Sequence, residues 1–376
     1  MNLHELTAAL LVAASAPAVV AQDAAPPRPL TLLVGTYTDT PSPDGRPCGV
    51  YAFAFDALSL RAAPTDTLAL SNPSFLALAP DGRRAYAVCE DDGDRAALAE
   101  IEVGPLSGGG ASLRLVRTRA TGADGPCHVS TDGRAALVSC YGGGALEVFP
   151  IGPDGLGERA QEFRGAAGAP GCGPRQEMAH VHCAIFTPDG YALAADFSSD
   201  RLMRFRVGAG GALERMDDIG GVGPGFGPRQ LAMSPDGRHL YVMSEMGDAV
   251  TVFRWRRGRA RKVQEVKAYD SAGGGGADIR LTPDGRHAYA SLRLVDDGVA
   301  HFRVDGAAGT LERVGYHPTA RHPRALCVSP DGRLLLCCSR DDDKVQIFKI
   351  DERTGRLSDT GSEIRVPRPV CAAFVP

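Results

Sequence analysis

Short runs of apolar residues, each closed by a turn of the type Pro-Asp-Gly-Arg and followed by a second apolar run, recur along the chain. The copies read NPSFLALAPDGR, PCHVSTDGR, HVHCAIFTPDGY, GPRQLAMSPDGR, GADIRLTPDGR and HPRALCVSPDGR. The residue before Asp-Gly falls at Pro80, Thr131, Pro188, Pro235, Pro283 and Pro330, at spacings of 51, 57, 47, 48 and 47 residues. That period exceeds most helical repeats and fits a propeller blade. Pro pre-sets φ at the second turn position, Asp accepts local backbone hydrogen bonds, and Gly takes the positive-φ position. The runs after the turn are almost continuously apolar, as in Leu240-Tyr241-Val242-Met243 and Leu334-Leu335-Leu336-Cys337. Such runs suit strands buried on both faces, which stacked blade sheets require. Helical 3.6-residue periodicity is nearly absent.

Six turns predict seven blades. The C-terminal segment RPVCAAFVP, Arg368 to Pro376, matches the first half of the repeat, and the chain stops where the next turn is due. The second half lies at the other end, in Leu32 to Tyr37 and Gly49 to Phe55. The expectation is an all-β, seven-bladed β-propeller over residues 30–376, closed by N- and C-terminal strands sharing one blade. Closure of this kind leaves no long open edge.

Residues 1–29 stand apart. The apolar run Leu6 to Ala21 contains Pro17 and is too short for a membrane span. It reads either as the core of a signal peptide, with Val19-Val20-Ala21 as a small-residue cleavage site, or as an extended start. The absence of Lys or Arg before it speaks against export. The ten cysteines include no C-x-x-C pair, so no zinc spacing is present. Cys89, Cys140, Cys183, Cys327, Cys337 and Cys371 sit in strand-like apolar runs and read as buried reduced thiols. Free thiols favour the cytoplasm over an oxidising compartment. A net charge of −4 argues against a nucleic-acid binder.

Aligning the repeats on their turns yields two columns. Residues about six before the turn open the inner strand: His182, Arg229 and Arg324. Residues about ten after it end the next strand: Glu90, Tyr141, Glu245, Arg293, Arg340 and, through the closure, Tyr37. Equivalent positions in a ring of blades lie at one height, so both columns are expected at one mouth of the central channel. His or Glu there could move a proton, Arg could stabilise an oxyanion, and an Arg fork suits a phosphate or carboxylate. Each residue also has a structural reading. Glu245 and Arg293 could form an inter-blade ion pair, and His128 and His180 are expected to support the site from behind. His239 and His287 read as exposed turn residues, Arg254 to Lys262 as a solvated basic hairpin, and Glu90 to Asp94 and Asp341 to Asp343 as solvated acidic turns. Gly273 to Gly276 reads as a flexible inter-strand loop. No G-x-S-x-G elbow, P-loop or H-E-x-x-H is present.

Val34-Gly35-Thr36-Tyr37-Thr38, Pro126-Cys127-His128, His180-Val181-His182, Gly227-Pro228-Arg229, Ser244-Glu245 and the strand-end Arg293 together resemble the lactonase family of seven-bladed propellers. The resemblance spans roughly residues 31–376. It implies hydrolysis of a sugar lactone, or the related lactone-forming cyclisation, without metal or cofactor. The catalytic residues carried over are His182, Arg229, Glu245 and Arg293, with Arg324, Arg340, His128, His180 and Tyr141 as substrate-binding candidates. The expected partner is a small anionic lactone, best matched by 6-phosphogluconolactone, with no nucleic acid and no membrane. The family's usual Pro-His-Pro-His reads Ala179-His180-Val181-His182 here, and its late Pro-Arg-His reads Pro323-Arg324-Ala325. Rival readings are a muconate-type cycloisomerase or a hydrolase of another lactone, and a non-enzymatic propeller that binds a ligand at its mouth.

Overall fold

The computed structural model describes residues 29–39, 49–270, 273 and 275–376, so the expected leader lies outside them save Pro29. Seven antiparallel sheets follow one another. Blade 1 runs inner to outer as Leu76–Leu78, Arg84–Cys89, Ala97–Pro105 and Ala111–Ala120. Blade 2 begins with Pro126–Thr131, Ala135–Cys140 and Ala145–Gly152, and Gln161–Arg164 lies outside them. Blades 3 to 6 have inner strands Val181–Phe186, Pro228–Met233, Gly276–Leu281 and Pro323–Val328. Blade 7 is the expected composite. Pro369–Phe374 is innermost and pairs with Leu30–Thr36, placing Leu32 opposite Phe374 and Val34 opposite Ala372.

Burial explains the near-continuous apolar runs. The second strands Ala135–Cys140, His239–Ser244, His287–Leu292 and Leu334–Ser339 are buried at every position. Each is covered on both faces by neighbouring blades. Tyr241, Met243 and Val252 of blade 4, for example, pack with Ile279, Ala290 and Phe302 of blade 5. Met243, Val252, Ile279 and Phe302 each contribute roughly 1.5–3 kcal/mol when buried.

Two repeated contacts join the blades. In the first, a side chain near the outer edge of one blade bonds both backbone groups of a residue in the next blade. Gln161 does this to Leu213, Gln264 to Leu311, and Thr65 to Ala111. In the second, the residue after the Pro-Asp-Gly-Arg turn packs against a glycine in the next blade's outer hairpin. His239 covers Gly309 and His287 covers Gly355, both glycines at positive φ, and a Cβ on either would overlap the imidazole. Tyr241 and Tyr289 donate to the carbonyls of the same two glycines at 3.0 and 2.6 Å. This corrects the expectation for His239 and His287, which are 3% and 5% exposed. They open the buried second strand rather than close the exposed turn.

The nine described cysteines are free thiols, and all but Cys172 are buried. The hairpin from Arg254 to Lys262 exposes its basic side chains, as expected. In the first acidic stretch Asp91 departs from expectation: it is buried, and Asn72 donates to it at 2.9 Å.

Candidate active site

The inner strands carry a bulge at equivalent positions. The register with the second strand slips between Pro126 and His128, Val181 and Cys183, Pro228 and Gln230, and Pro323 and Ala325. The residue skipped in each case is Cys127, His182, Arg229 or Arg324. A bulge re-aims the side chain that it carries. All four line one narrow axial cavity of about 10 Å³ with Phe75, Asp278 and Val370. A cavity of that scale holds about one water. The first sequence column therefore converges on the axis because of a repeated backbone irregularity.

The second column sits immediately past the second strands and meets the first at Glu245. Arg229 Nε lies 2.9 Å from Glu245 Oε2, and Arg293 Nη2 lies 2.9 Å from the same oxygen. Arg229 also donates to the carbonyl of Ala277 in blade 5. A third guanidinium completes the group: Arg175 Nη1 is 2.5 Å from Glu245 Oε1. Arg175 also donates to Tyr141 Oη at 2.9 Å and lies over the Phe197 ring. Thus His182, Arg229, Glu245 and Arg293 share one site.

The remaining candidates flank it. Arg324 lies 3.6 Å from Glu90 and over the ring of Tyr37, whose hydroxyl donates to Glu90 at 2.9 Å. Arg340 is held by Asp341 at 2.6 Å and reaches His322 Nδ1 at 3.3 Å, without touching Glu245. His322 Nε2 is 3.2 Å from Arg293, so this imidazole bridges two arginines. One nitrogen of a neutral imidazole carries a proton, so His322 accepts from only one of them. His180 stacks on Tyr141 and bonds its carbonyl at 2.7 Å. His128 is buried against Phe75, with Nε2 3.4 Å from Cys183. Both pack into the walls around the group.

The electrostatics follow from burial among arginines. Burial pushes the Glu245 carboxyl up, but Arg293, Arg229 and Arg175 outweigh it and hold it at about 2. Burial, then Arg229, pull Arg293 down to about 9. Burial, followed by Arg229, Arg324 and Arg293, holds His182 well below the usual imidazole range, so it is neutral. His182 Nδ1 is buried and has no hydrogen-bond partner, and the residue lines the axial cavity. Among the described residues no three His, Cys, Asp or Glu side chains group as metal ligands. The Glu245 carboxylate faces three guanidiniums.

Sequence reasoning missed Arg175, His322 and Asp278. Arg175 lies on the connection between blades 2 and 3, outside the repeat, so no column could contain it. His322 precedes its strand in the left-handed region at φ 59°. Asp278 accepts from Leu326 N at 2.9 Å and joins blade 5 to blade 6 beside the axis. Its segment GADIRLTPDGR offered the position but no chemical cue.

A closed seven-bladed propeller with a polar, arginine-rich mouth on its axis defines the class. The chain belongs to the lactonase family, described as "Lactonase, 7-bladed beta-propeller", whose model matches residues 31–374. A 6-phosphogluconolactonase of Bacillus subtilis is 30% identical over 357 residues, covering 91% of this chain and 97% of that protein. A candidate 6-phosphogluconolactonase from Bacteroides uniformis superposes with TM-score 0.88 at 39% identity, covering 93% of this chain and all of that one. The periplasmic gluconolactonase of Pseudomonas aeruginosa superposes with TM-score 0.84 at 31% identity, covering 92% and 99%. Family and relatives support a lactone hydrolase.

Proposed function

We propose that the protein hydrolyses 6-phosphoglucono-1,5-lactone to 6-phosphogluconate, without a metal, at the mouth around Glu245. One observation carries the reading: a neutral, buried His182 with an unpartnered nitrogen faces the axial cavity that Arg229 and Arg324 also line. A metal-free route suits the charge here, because three guanidiniums around a single carboxylate repel a cation.

A lactone is a cyclic ester. His182 Nδ1 takes a proton as water adds to the carbonyl carbon, and the carbonyl oxygen becomes an oxyanion. Arg293, with Arg229 behind it, stabilises that charge through fixed donors. The ring C–O bond then breaks, and the imidazolium returns its proton to the leaving ring oxygen. The low proton affinity of His182 makes its conjugate acid a strong donor for this second step. The developing oxyanion offsets the cost of an imidazolium among arginines. Glu245 is engaged on both oxygens by three guanidiniums, and its role is to neutralise and aim Arg229 and Arg293. Arg324 and Arg340 flank the mouth as contacts for the substrate. Tyr141 and His180 fix one wall, and His128 supports the inner strands.

The test compares hydrolysis of freshly made 6-phosphoglucono-1,5-lactone with its spontaneous rate, for wild type and His182→Asn. Acceleration that the variant loses supports the reading. No acceleration by wild type removes the substrate, and an unimpaired variant removes His182 as base.

A further inference from the structure

We infer that Arg175, on the connection between blades 2 and 3, binds the anionic tail of the substrate and sets the preference for a phosphorylated over an unphosphorylated lactone. The inference rests on the lactonase reading above.

The connection is an elaboration. Residues 319–322 join blades 5 and 6, and 366–368 join blades 6 and 7, whereas 165–180 join blades 2 and 3. It is nevertheless fixed on both sides of Arg175. Ala166 N donates to Asp196 at 2.9 Å, and Gly168 N donates to the Gln176 carbonyl at 2.7 Å. Buried Gln176 donates to the Phe197 carbonyl and to Asp200, each at 3.0 Å. Ser198 Oγ donates to the Met178 carbonyl at 2.5 Å. A loop tied at these points places its guanidinium instead of letting it wander.

Arg175 can leave its carboxylate at less cost than the other arginines can. Arg324 is paired with Glu90 and Arg340 with Asp341, so a substrate oxygen on either shares the guanidinium with that carboxylate. Around Glu245 three guanidiniums share one carboxylate. If Arg175 leaves, Arg229 and Arg293 still neutralise Glu245. Arg229 and Arg293 have side chains 4% and 8% exposed, whereas that of Arg175 is 47% exposed. It alone of the three can meet a ligand at the surface without further burial. A planar fork of this kind matches phosphate or carboxylate oxygens in pairs. Tyr141 Oη at Nη2 and the Phe197 face beneath Cζ remain to hold the guanidinium in place.

The experiment measures kcat/KM for 6-phosphogluconolactone and for gluconolactone with wild type, Arg175→Gln and Arg175→Lys. A charge-assisted hydrogen bond contributes about 1.5–3 kcal/mol. The ratio of the two kcat/KM values is therefore expected to fall tenfold or more in Arg175→Gln, through KM, and to be partly kept in Arg175→Lys. An unchanged ratio would overturn the inference, since it would place Arg175 only as a support for Glu245. Calorimetric titration with 6-phosphogluconate and gluconate tests the same point without turnover. Wild type should bind the phosphorylated acid at least tenfold more tightly, and Arg175→Gln should lose that margin. A margin that survives the substitution refutes the role, even if wild type hydrolyses neither lactone and the lactonase reading has failed.

Discussion

Arg293 Nη2 and Arg229 Nε both lie 2.9 Å from a single oxygen, Oε2 of Glu245. Arg293 follows the second strand of blade 5 and Glu245 that of blade 4, so the Arg293–Glu245 contact joins two blades at the mouth of the channel. It is at once the inter-blade ion pair and the organiser of the site. Under the function proposed above, the two alternatives that the sequence allowed for this pair describe one arrangement.

Replacing Glu245 by Gln should therefore damage activity and stability together. Two nearly buried guanidiniums would lose their counter-charge, and breaking a buried pair costs about 3–5 kcal/mol. The urea midpoint should drop accordingly, and kcat/KM should fall by about 10² or more, the scale of a lost oxyanion-stabilising arrangement. A variant with the wild-type midpoint and rate would show that Glu245 neither holds the arginines nor aims them.

Stability should fall steeply on mild acidification. Burial first, with nearby arginines, depresses His182, His128 (about 3) and His322 (about 3), and burial with His287 depresses His301 (about 4). An unfolded imidazole titrates near 6.5. A depressed group contributes stability that is complete above its unfolded value and is lost as pH falls toward the folded one. The fully buried His182 and His128 alone give a slope approaching about 3 kcal/mol per pH unit below 6, with a smaller, solvent-screened part from His322 and His301. A domain of about 5–15 kcal/mol total stability would then unfold at a pH well above that at which Glu245 protonates. Urea midpoints at pH 7.5, 6 and 5 measure this, and a flat profile from 7 to 5 would contradict it.

The same depression shapes the rate profile. His182 stays neutral through pH 6.5, so kcat/KM for lactone hydrolysis should show no acidic limb near that value while the protein remains folded. His182→Asn should lower kcat about 10²- to 10⁴-fold, the span of general base catalysis. A limb at 6.5 in wild type would assign the base to an imidazole of ordinary pKa and remove His182 from the role.

What the sequence made legible was what repeats. The turn period gave the blades, and the match between Arg368 to Pro376 and the N-terminal strands gave the closure, because both are written in chain order. The two columns contained His182, Arg229, Glu245 and Arg293 with five other residues, because equivalent blade positions reach one height, and the resemblance to the lactonase family singled out those four. What it could not give was direction. His239 reads as polar and stands next to a turn, yet the second strand begins with it, and its ring turns into the next blade against Gly309. Arg340 shares a column with Arg293 but is captured by the adjacent Asp341. Arg175 belongs to no repeat, and only the anchored loop brings it to Glu245.

The contact between His239 and Gly309 offers a control on how the blades are joined. Gly309 has φ 73° and Gly361 has φ 68°, so alanine at either strains the backbone similarly. At Gly361 a Cβ meets nothing within 4 Å, whereas at Gly309 it would overlap the imidazole of His239. Overpacking of that kind costs about 1–3 kcal/mol beyond the strain. Gly309→Ala should therefore lower the urea midpoint distinctly more than Gly361→Ala. The Tyr241 hydroxyl bonds the Gly309 carbonyl at 3.0 Å, which resists any backbone shift that would relieve the clash. If the imidazole is the obstacle, His239→Ala should cost less in the Gly309→Ala background than in wild type, because it opens the needed space. The coupling in that double-mutant cycle should reach about 0.5–3 kcal/mol, as for residues in contact. Additive effects would mean that the glycine is required for its φ alone and that the two blades do not meet through this histidine.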